Sequence, residues 1–385
     1  MSRVIRFSIS GLAGRSETVK RDLNAGVNIF WGMNGSGKTS MLKILHSALQ
    51  NDASLLARVP FTQASVQIET RSGVIERKIN NISQKEDEET LFTDDEWHEL
   101  QARERLLNTA KQLRWTGRKV KGEPSNHPIK HSYLSTLRLS DMPRIRQQGL
   151  SPSEILDEAA YDRIFARQIR AIWQDYYTRE LVQIRQAQQR GLAAIATSVI
   201  VRSGLKKQKK ANSPEVDAEI AYHTVRQFFE AQQFDLGVSY NEFIENFQNS
   251  DLMREVVEEV VDVQRGIEAA QEPTAALQDL VSDLFSGNKS LHFEGRTIRI
   301  TQGDVEIPLQ GLSSGEKQVI RLLIECLAAG PNPVIIDEPE LSMHVDWQHR
   351  LVNCMRTLNP GAQLIIATHS PEIMAGAADK EIMEL

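Results

Sequence analysis

A glycine-rich loop between a strand and a helix constrains this chain more than any other feature. Residues 32–39 read Gly-Met-Asn-Gly-Ser-Gly-Lys-Thr. The apolar strand Val27–Trp31 precedes the loop, and the helix Thr39–Leu49, with apolar residues at helical spacing, follows it. Glycines let the backbone wrap closely around a ligand, and the N–H groups of a helix N-terminus favour an anion. The pattern therefore predicts an α/β fold with a phosphate-binding loop.

The side chains of the same loop predict a nucleotide and its metal. Lys38 is expected to neutralise the β- and γ-phosphates of ATP, and the Thr39 hydroxyl is expected to bind Mg²⁺. A chance occurrence of this pattern in a chain of this length has odds on the order of one in a hundred, so coincidence is a weak alternative. The predicted nucleotide contacts are Gly32, Asn34, Gly35, Ser36, Gly37, Lys38, Thr39 and Ser40.

Two acidic residues follow an unbroken apolar run in the second half of the chain. Val334–Ile336 lead into Asp337 and Glu338, which predicts a buried parallel strand with carboxylates at its ligand-binding end. Asp337 is expected to hold Mg²⁺ through water, and Glu338 to orient or deprotonate the attacking water. A plain acidic turn is the alternative for this pair alone, but the glycine loop favours catalysis.

The segment Leu-Ser-Ser-Gly-Glu at 312–316 lies 22 residues before the first acid (337 − 315). Ser313, Ser314 and Gly315 open another helix, so their N–H groups and its dipole predict a second anion site. We group Glu316 with these nucleotide-binding residues. A single ATP does not need both sites of one chain.

These three motifs together resemble the ATP-binding-cassette-type ATPases, including the SMC, RecF and OLD-like branches. The resemblance implies an α/β, ABC-type P-loop ATPase domain built from both chain ends, with an inserted helical, short coiled-coil-like domain. It implies that the second anion site caps the ATP of another subunit, giving a homodimer or a higher homo-oligomer. It also implies that ATP and Mg²⁺ are the cofactors.

The residues after the acids narrow the resemblance. The chain matches the Asp-Glu-Pro-Glu pattern and the histidine, His344, of OLD-like ATPases but departs from them at Met343 and Val345. Transporter cassettes usually carry aspartate where His344 stands, and the resemblance places this histidine in a dimer-contact loop. His369, 32 residues after Asp337 (369 − 337), resembles the switch histidine that senses the γ-phosphate.

The glutamine of the family's Q-loop has no obvious counterpart. The segment Tyr133–Arg138 resembles the one that leads into the insertion of OLD-like ATPases. By that resemblance, Arg138 together with Ser135 or Thr136 takes the place of this glutamine at the lid junction.

The composition indicates a protein with a large hydrophobic core that works in a reducing compartment. The chain has 385 residues, a formal net charge of −6 and only two cysteines, Cys326 and Cys354, outside any metal-ligand pattern. The segment Met1–Ser10 has no apolar run of signal-peptide length, and the stretch Gly191–Val201 is shorter than the ~20 residues of a spanning helix. We expect a cytoplasmic protein without membrane contact.

The chain divides by pattern into residues 1–145 and 288–385, the two lobes of the ATPase domain, and the helical insertion 146–287. Ser151 is a predicted helix start, and an apolar stripe follows it. An acidic run (85–99), a basic stretch (111–130) and four lysines (206, 207, 209, 210) read either as solvated segments or as contacts to nucleic acid or a partner.

The resemblance extends to the stand-alone ATPase subunits of bacterial antiphage systems such as PARIS and Septu. It implies an ATP-gated sensor and scaffold that controls a separate effector, a nuclease by analogy. A RecF- or SMC-like ATPase that binds DNA directly in repair or chromosome maintenance is the alternative. A transporter cassette is a third reading, disfavoured by the helical insertion and the Asp-Glu-Pro-Glu sequence.

Overall fold

A computed structural model describes residues 2–81, 113–119, 127–135, 158–202, 217–231, 235–285 and 289–385. The chain forms two compact units. Unit one comprises Met1–Ile172, Asp279–His292 and Arg299–Leu385, and unit two comprises Trp173–Gln278 and Phe293–Ile298.

The regular elements of the described residues are numbered in chain order. The strands are β1 Arg3–Ser10, β2 Thr18–Asp22, β3 Val27–Trp31, β4 Gln63–Thr70, β5 Gly73–Asn80, β6 Thr116–Lys119, β7 Ser132–Leu134, β8 Lys289–Glu294, β9 Thr297–Gln302, β10 Val305–Ile307, β11 Pro333–Asp337, β12 Gln363–Thr368 and β13 Ile382–Glu384. The helices are α1 Lys38–Gln50, α2 Glu158–Arg202, α3 Ala218–Ala231, α4 Tyr240–Asn249, α5 Asp251–Leu284, α6 Ser314–Ala329, α7 Val345–Leu358 and α8 Pro371–Ala375. Short 3₁₀ turns cover Leu12–Gly14, Ser54–Leu56, Leu309–Gly311 and Asp379–Glu381.

A five-stranded parallel sheet in the order β13-β3-β12-β11-β7 forms the centre of unit one. Every residue of β11 and β12 is buried, as expected for strands covered on both faces. Strands from both ends of the chain therefore pair in one sheet. This observation confirms the predicted α/β fold class, and the mixed order agrees with a domain assembled from both ends.

A second, antiparallel sheet in unit one follows the order β2-β1-β4-β5-β6. In β1 and β4, buried apolar residues alternate for the most part with half-buried or exposed polar residues, the pattern of a sheet with one solvated face. The buried face shares a core with helix α1, which contributes Met41, Leu45 and Leu49. Apolar packing against the antiparallel sheet thus holds the helix that follows the glycine loop in place.

Unit two is mainly helical. The part of α2 in this unit packs closely on α5, since a Cβ on Gly191 would lie 1.8 Å from a methyl carbon of Val263. Helices α3 and α4 form a small core with α5, which includes Tyr222 of α3, Phe243 of α4 and Val260 of α5. A capping box at Ser239 and Glu242 fixes the start of α4.

Several sequence predictions fall outside the described residues: the acidic run, residues 111–112 and 120–126 of the basic stretch, the helix start at Ser151 and the four lysines at 206–210. No helix in the described ranges is both long enough and apolar enough to cross a membrane.

Candidate functional site

Three sequence motifs meet at the carboxyl edge of the parallel sheet. Strands β3, β12 and β11 are adjacent, with Trp31 in register with Thr368 and Ala367 in register with Asp337. The glycine loop follows β3, His369 follows β12, and Glu338 follows β11. The sheet thus brings together groups from both ends of the chain, at the edge where open α/β sheets bind ligands.

The glycine loop has the backbone of an anion cradle. Gly35 and Gly37 have φ of 81° and 95°, in the left-handed region that favours glycine. A Cβ on Gly32 would lie 2.8 Å from the carbonyl oxygen of Leu385, so only glycine fits there without a shift. Asn34 and Gly35 are exposed, Ser36 is buried, and Ser40 is half-buried.

Lys38 is buried within its own loop. Its ammonium donates to the carbonyl oxygens of Gly32, at 2.7 Å, and Met33, at 3.1 Å. Burial lowers the pKa of Lys38 below its ordinary value, although the carboxylates of Glu338, Asp337 and Glu340 act in the opposite direction. Hydrogen bonds to its own loop therefore hold the lysine ammonium near the acids, and phosphate oxygens can accept the same hydrogen bonds.

The candidate metal ligands lie side by side. The Thr39 hydroxyl donates to Oδ1 of Asp337 at 3.2 Å, although the two residues come from opposite ends of the chain. A hydroxyl and a carboxylate are oxygen donors of the kind Mg²⁺ prefers. Neither here nor elsewhere in the described residues do three or more His, Cys, Asp or Glu side chains form a group that could hold a metal without further ligands. The donor set fits a metal bound jointly by protein and phosphates.

Glu338 has a strained backbone. Its φ is 49°, which is uncommon for a residue with a side chain, and its N–H donates to the Ala367 carbonyl at 2.8 Å. The bond holds the start of the loop against β12. As a result, Oε1 of Glu338 lies 3.7 Å from Nε2 of His369. The predicted catalytic pair is brought together by the fold.

The segment Leu-Ser-Ser-Gly-Glu begins helix α6, as predicted. Ser313 is the N-cap, and Glu316 completes a capping box. The Ser313 N–H donates to the Glu316 carboxylate at 2.6 Å, and the Glu316 N–H donates to the Ser313 hydroxyl oxygen at 3.3 Å. Lys289 donates to Glu316 at 2.7 Å. The carboxylate of Glu316 is therefore occupied within its own chain, whereas Ser313 and Ser314 are exposed.

Gly315 is buried against the loop that follows β11. A Cβ at this position would lie 2.5 Å from the carbonyl oxygen of Ser342, closer than real Cβ atoms come. Packing inside its own chain thus requires glycine at this position, independently of the predicted contact with a phosphate. Ser342 itself has φ of 63°, so the loop is strained on its side of the contact.

The remaining predicted residues are less well defined. His344 is 70% exposed in its side chain and caps helix α7 through the Asp346 N–H, at 3.4 Å. Ser135 directly follows β7, the neighbour of β11, and Thr136 and Arg138 lie outside the described residues. The lid assignment stays a prediction.

Sequence reasoning missed three residues that organise the site: Glu340, Gln348 and Lys289. Glu340 accepts the His369 N–H at 2.6 Å, and Gln348 links the Met343 carbonyl, at 2.9 Å, to the Ser370 hydroxyl, at 2.7 Å. Only Glu340 carried a visible signal, as the second acid of Asp-Glu-Pro-Glu. The other two act through contacts between distant segments, which leave no local pattern.

Comparison with known proteins agrees with this geometry. The chain is 28% identical over 165 residues to the Septu protein PtuA of Bacillus thuringiensis, covering 39% of this chain and 40% of the relative. It is 31% identical over 90 residues to the "Retron Vc95 probable ATPase" of Vibrio cholerae serotype O1 biovar El Tor, covering 20% and 18%. The chain thus spans less than half the length of these curated relatives. The predicted resemblance to the Septu system is confirmed.

A solved Smc head domain from Pyrococcus furiosus superposes with a TM-score of 0.42 and 13% identity, covering 100% of this chain and 93% of that one. An AAA-domain model described with the AbiEii toxin of a type IV toxin–antitoxin system matches residues 201–375. Another, described simply as an AAA domain, matches residues 8–283, more than half of the chain. The chain therefore belongs to the AAA-domain family of ATPases.

Proposed function

We propose that the protein binds Mg²⁺-ATP at the carboxyl edge of its parallel sheet and hydrolyses it. The observation that carries this proposal is the juxtaposition of Lys38, Thr39, Asp337, Glu338 and His369. The motifs are far apart in sequence, but the sheet places all of them around the mouth of one glycine loop. That arrangement supplies phosphate binding, oxygen donors for a metal and a carboxylate for water in one place.

Each residue has a defined task in this proposal. Lys38 exchanges its loop carbonyls for β- and γ-phosphate oxygens, while Thr39 and Asp337 hold Mg²⁺, which neutralises charge on the phosphates. Glu338 orients the attacking water and accepts its proton. His369 contacts the γ-phosphate and leaves it when the phosphate departs.

We further propose that two copies of the chain close around ATP. Ser313 and Ser314 are exposed at the N-terminus of α6, where N–H groups and the helix dipole favour a phosphate. The apolar side chains of Met33, Leu341 and Val345 are 87%, 48% and 48% exposed. They lie in the glycine loop, in the loop after β11 and at the start of α7, on surfaces that a second copy would cover.

The role in the cell is proposed from the relatives. Matches to a Septu protein and a retron ATPase favour antiphage defence, in which the dimer acts as a sensor that controls a separate effector, for example a nuclease. Within unit one, Lys317 of α6 binds Asp162 near the start of α2 at 2.6 Å. This ion pair offers a route from the nucleotide-facing helix to the helix that continues into the insertion.

Two substitutions separate binding from hydrolysis. Lys38→Ala should abolish ATP binding, whereas Glu338→Gln should bind ATP, lose turnover and accumulate as a dimer in size-exclusion chromatography with ATP. The exposed Glu17→Gln, remote in sequence from these motifs, is the control and should behave as wild type. Wild-type turnover in Glu338→Gln would refute the role of that carboxylate, and ATP-independent dimers would refute the gating.

A further inference from the structure

Glu340 makes one side-chain hydrogen bond within the described residues, and it goes to the backbone of His369. Its Oε1 accepts the His369 N–H at 2.6 Å, although 29 residues separate the two. Its other oxygen, Oε2, is buried and accepts no hydrogen bond from the described part of the chain. The carboxylate therefore ties the loop after β11 to the end of β12, and the bond is a short, charge-assisted one.

General stabilisation of the loop is a poor explanation for this residue. A buried carboxylate oxygen without a hydrogen-bond partner costs free energy, so stability alone does not explain the contact with His369. The neighbouring backbone is also strained, with φ of 49° at Glu338 and 63° at Ser342. Such strain concentrates where geometry serves function.

A second link joins the same two segments. Gln348 donates to the Met343 carbonyl at 2.9 Å and accepts the Ser370 hydroxyl at 2.7 Å. The loop that begins with Glu338 and the turn that begins with His369 are therefore connected at two points. Between these points lies the 3.7 Å approach of the Glu338 carboxylate to the His369 imidazole.

We propose that Glu340 is a positioning residue that fixes the backbone of His369, and through it the distance between the imidazole and Glu338. Its effect on turnover rests on the proposed ATPase function, but its effect on His369 does not. Glutamine can replace it, because a side-chain amide oxygen also accepts an N–H. Alanine cannot, and aspartate is one methylene too short.

The direct test is hydrogen exchange at the amide of His369, read by mass spectrometry with single-residue fragmentation. In Glu340→Ala the exchange should accelerate about tenfold or more, and in Glu340→Gln it should stay within about threefold of wild type. Glu372→Ala is the matched control, because the Glu372 carboxylate lies 3.0 Å from the Ser370 hydroxyl oxygen and does not accept the His369 N–H. Unchanged exchange in Glu340→Ala, or an equal gain in Glu372→Ala, overturns the assignment.

Steady-state kinetics provide the second readout. Glu340→Ala should lower kcat about tenfold or more with KM within about threefold, and Glu340→Gln should restore most of the loss. A glutamine variant as defective as alanine would mean that charge, not position, matters, and would overturn the proposal. A wild-type protein without ATP turnover would contradict the proposed function and leave the exchange result intact. If Glu340→Ala does not fold, Glu340→Asp takes its place with the same expected loss of protection.

Discussion

Thr39 and Asp337 are 298 residues apart in the chain, yet the hydroxyl of the first donates to the carboxylate of the second across 3.2 Å. If both hold Mg²⁺, removing the hydroxyl without changing the shape should uncouple nucleotide binding from the metal. Thr39→Val should reduce the Mg²⁺-dependent gain in ATP affinity about tenfold or more, while Thr39→Ser should retain it. Calorimetric titration with and without Mg²⁺ measures this gain. Equal Mg²⁺ dependence in Thr39→Val and wild type would contradict the metal assignment.

The proposed sharing of sites between two copies can be tested by mixing two inactive variants. Lys38→Ala removes the phosphate contact, and Ser314→Glu places a negative charge where the partner's phosphate is expected. Glutamate is tolerated in the first turn of a helix, so the second variant should fold. An equimolar mixture should regain about a quarter of wild-type activity, since half of the dimers are mixed and each has one intact site of two. A mixture as inactive as its components would count against the shared site.

Gly315 should be intolerant of even one added carbon. Its Cβ would press on the carbonyl oxygen of Ser342, a backbone atom that can retreat only if the loop shifts. We expect Gly315→Ala to destabilise the protein by about 1–3 kcal/mol and to lower ATP turnover. Gly26→Ala is the control, because a Cβ there meets no atom within 4 Å. Thermal melts and turnover assays compare the two variants. Wild-type stability and turnover in Gly315→Ala would show that the loop at Ser342 shifts to make room for the methyl group.

Arg77 should be a major determinant of stability in unit one. It is fully buried, and burial lowers the pKa of its guanidinium to about 10. It donates to the carbonyls of Ala48 and Leu49 at the end of α1, and to that of His127 at 2.6 Å. Arg77→Met should leave these acceptors without their donor and cost about 2 kcal/mol or more, a drop in Tm of about 4 °C or more.

The exposed Arg71 is the matched control for that substitution. Arg71→Met should change stability by no more than about 0.5 kcal/mol. Equal Tm values for the two variants would mean that the buried guanidinium is dispensable.

The capping carboxylate of Glu316 should contribute stability that disappears in acid. Burial raises the pKa of this carboxyl, but hydrogen bonds from Lys289 and Ser313 outweigh burial and leave the pKa below its ordinary value. A carboxyl with a lowered folded pKa stabilises the protein above its unfolded pKa, and this contribution is lost as pH falls through the folded pKa. The Tm of wild type should therefore fall more steeply below about pH 4.5 than that of Glu316→Gln. Parallel Tm profiles for the two proteins would exclude this contribution.

Local patterns predicted the parts of the fold that depend on neighbours in sequence. The strand Pro333–Asp337 was visible as an unbroken apolar run, and the glycine loop was visible because its backbone needs glycine. The order of strands in the parallel sheet could not be predicted in this way, because pairing between β3 and β12 joins residues from opposite ends of the chain. The hydrogen bond between the Glu340 carboxylate and the His369 N–H was not predicted, for the same reason. Nothing in the sequence around either residue encodes the other.

The pairing of an early strand with late strands in the parallel sheet has a consequence for synthesis on the ribosome. Strand β3 begins at Val27, but its neighbour β12 begins only at Gln363, so 336 residues (363 − 27) must be added before the pair can form. At typical translation rates this takes on the order of 15–70 s. Throughout that time the glycine loop has no completed sheet to hold it, while the helices of unit two, encoded in between, can already associate. A nascent chain interrupted before β12 should therefore carry a folded helical unit and no competent nucleotide pocket.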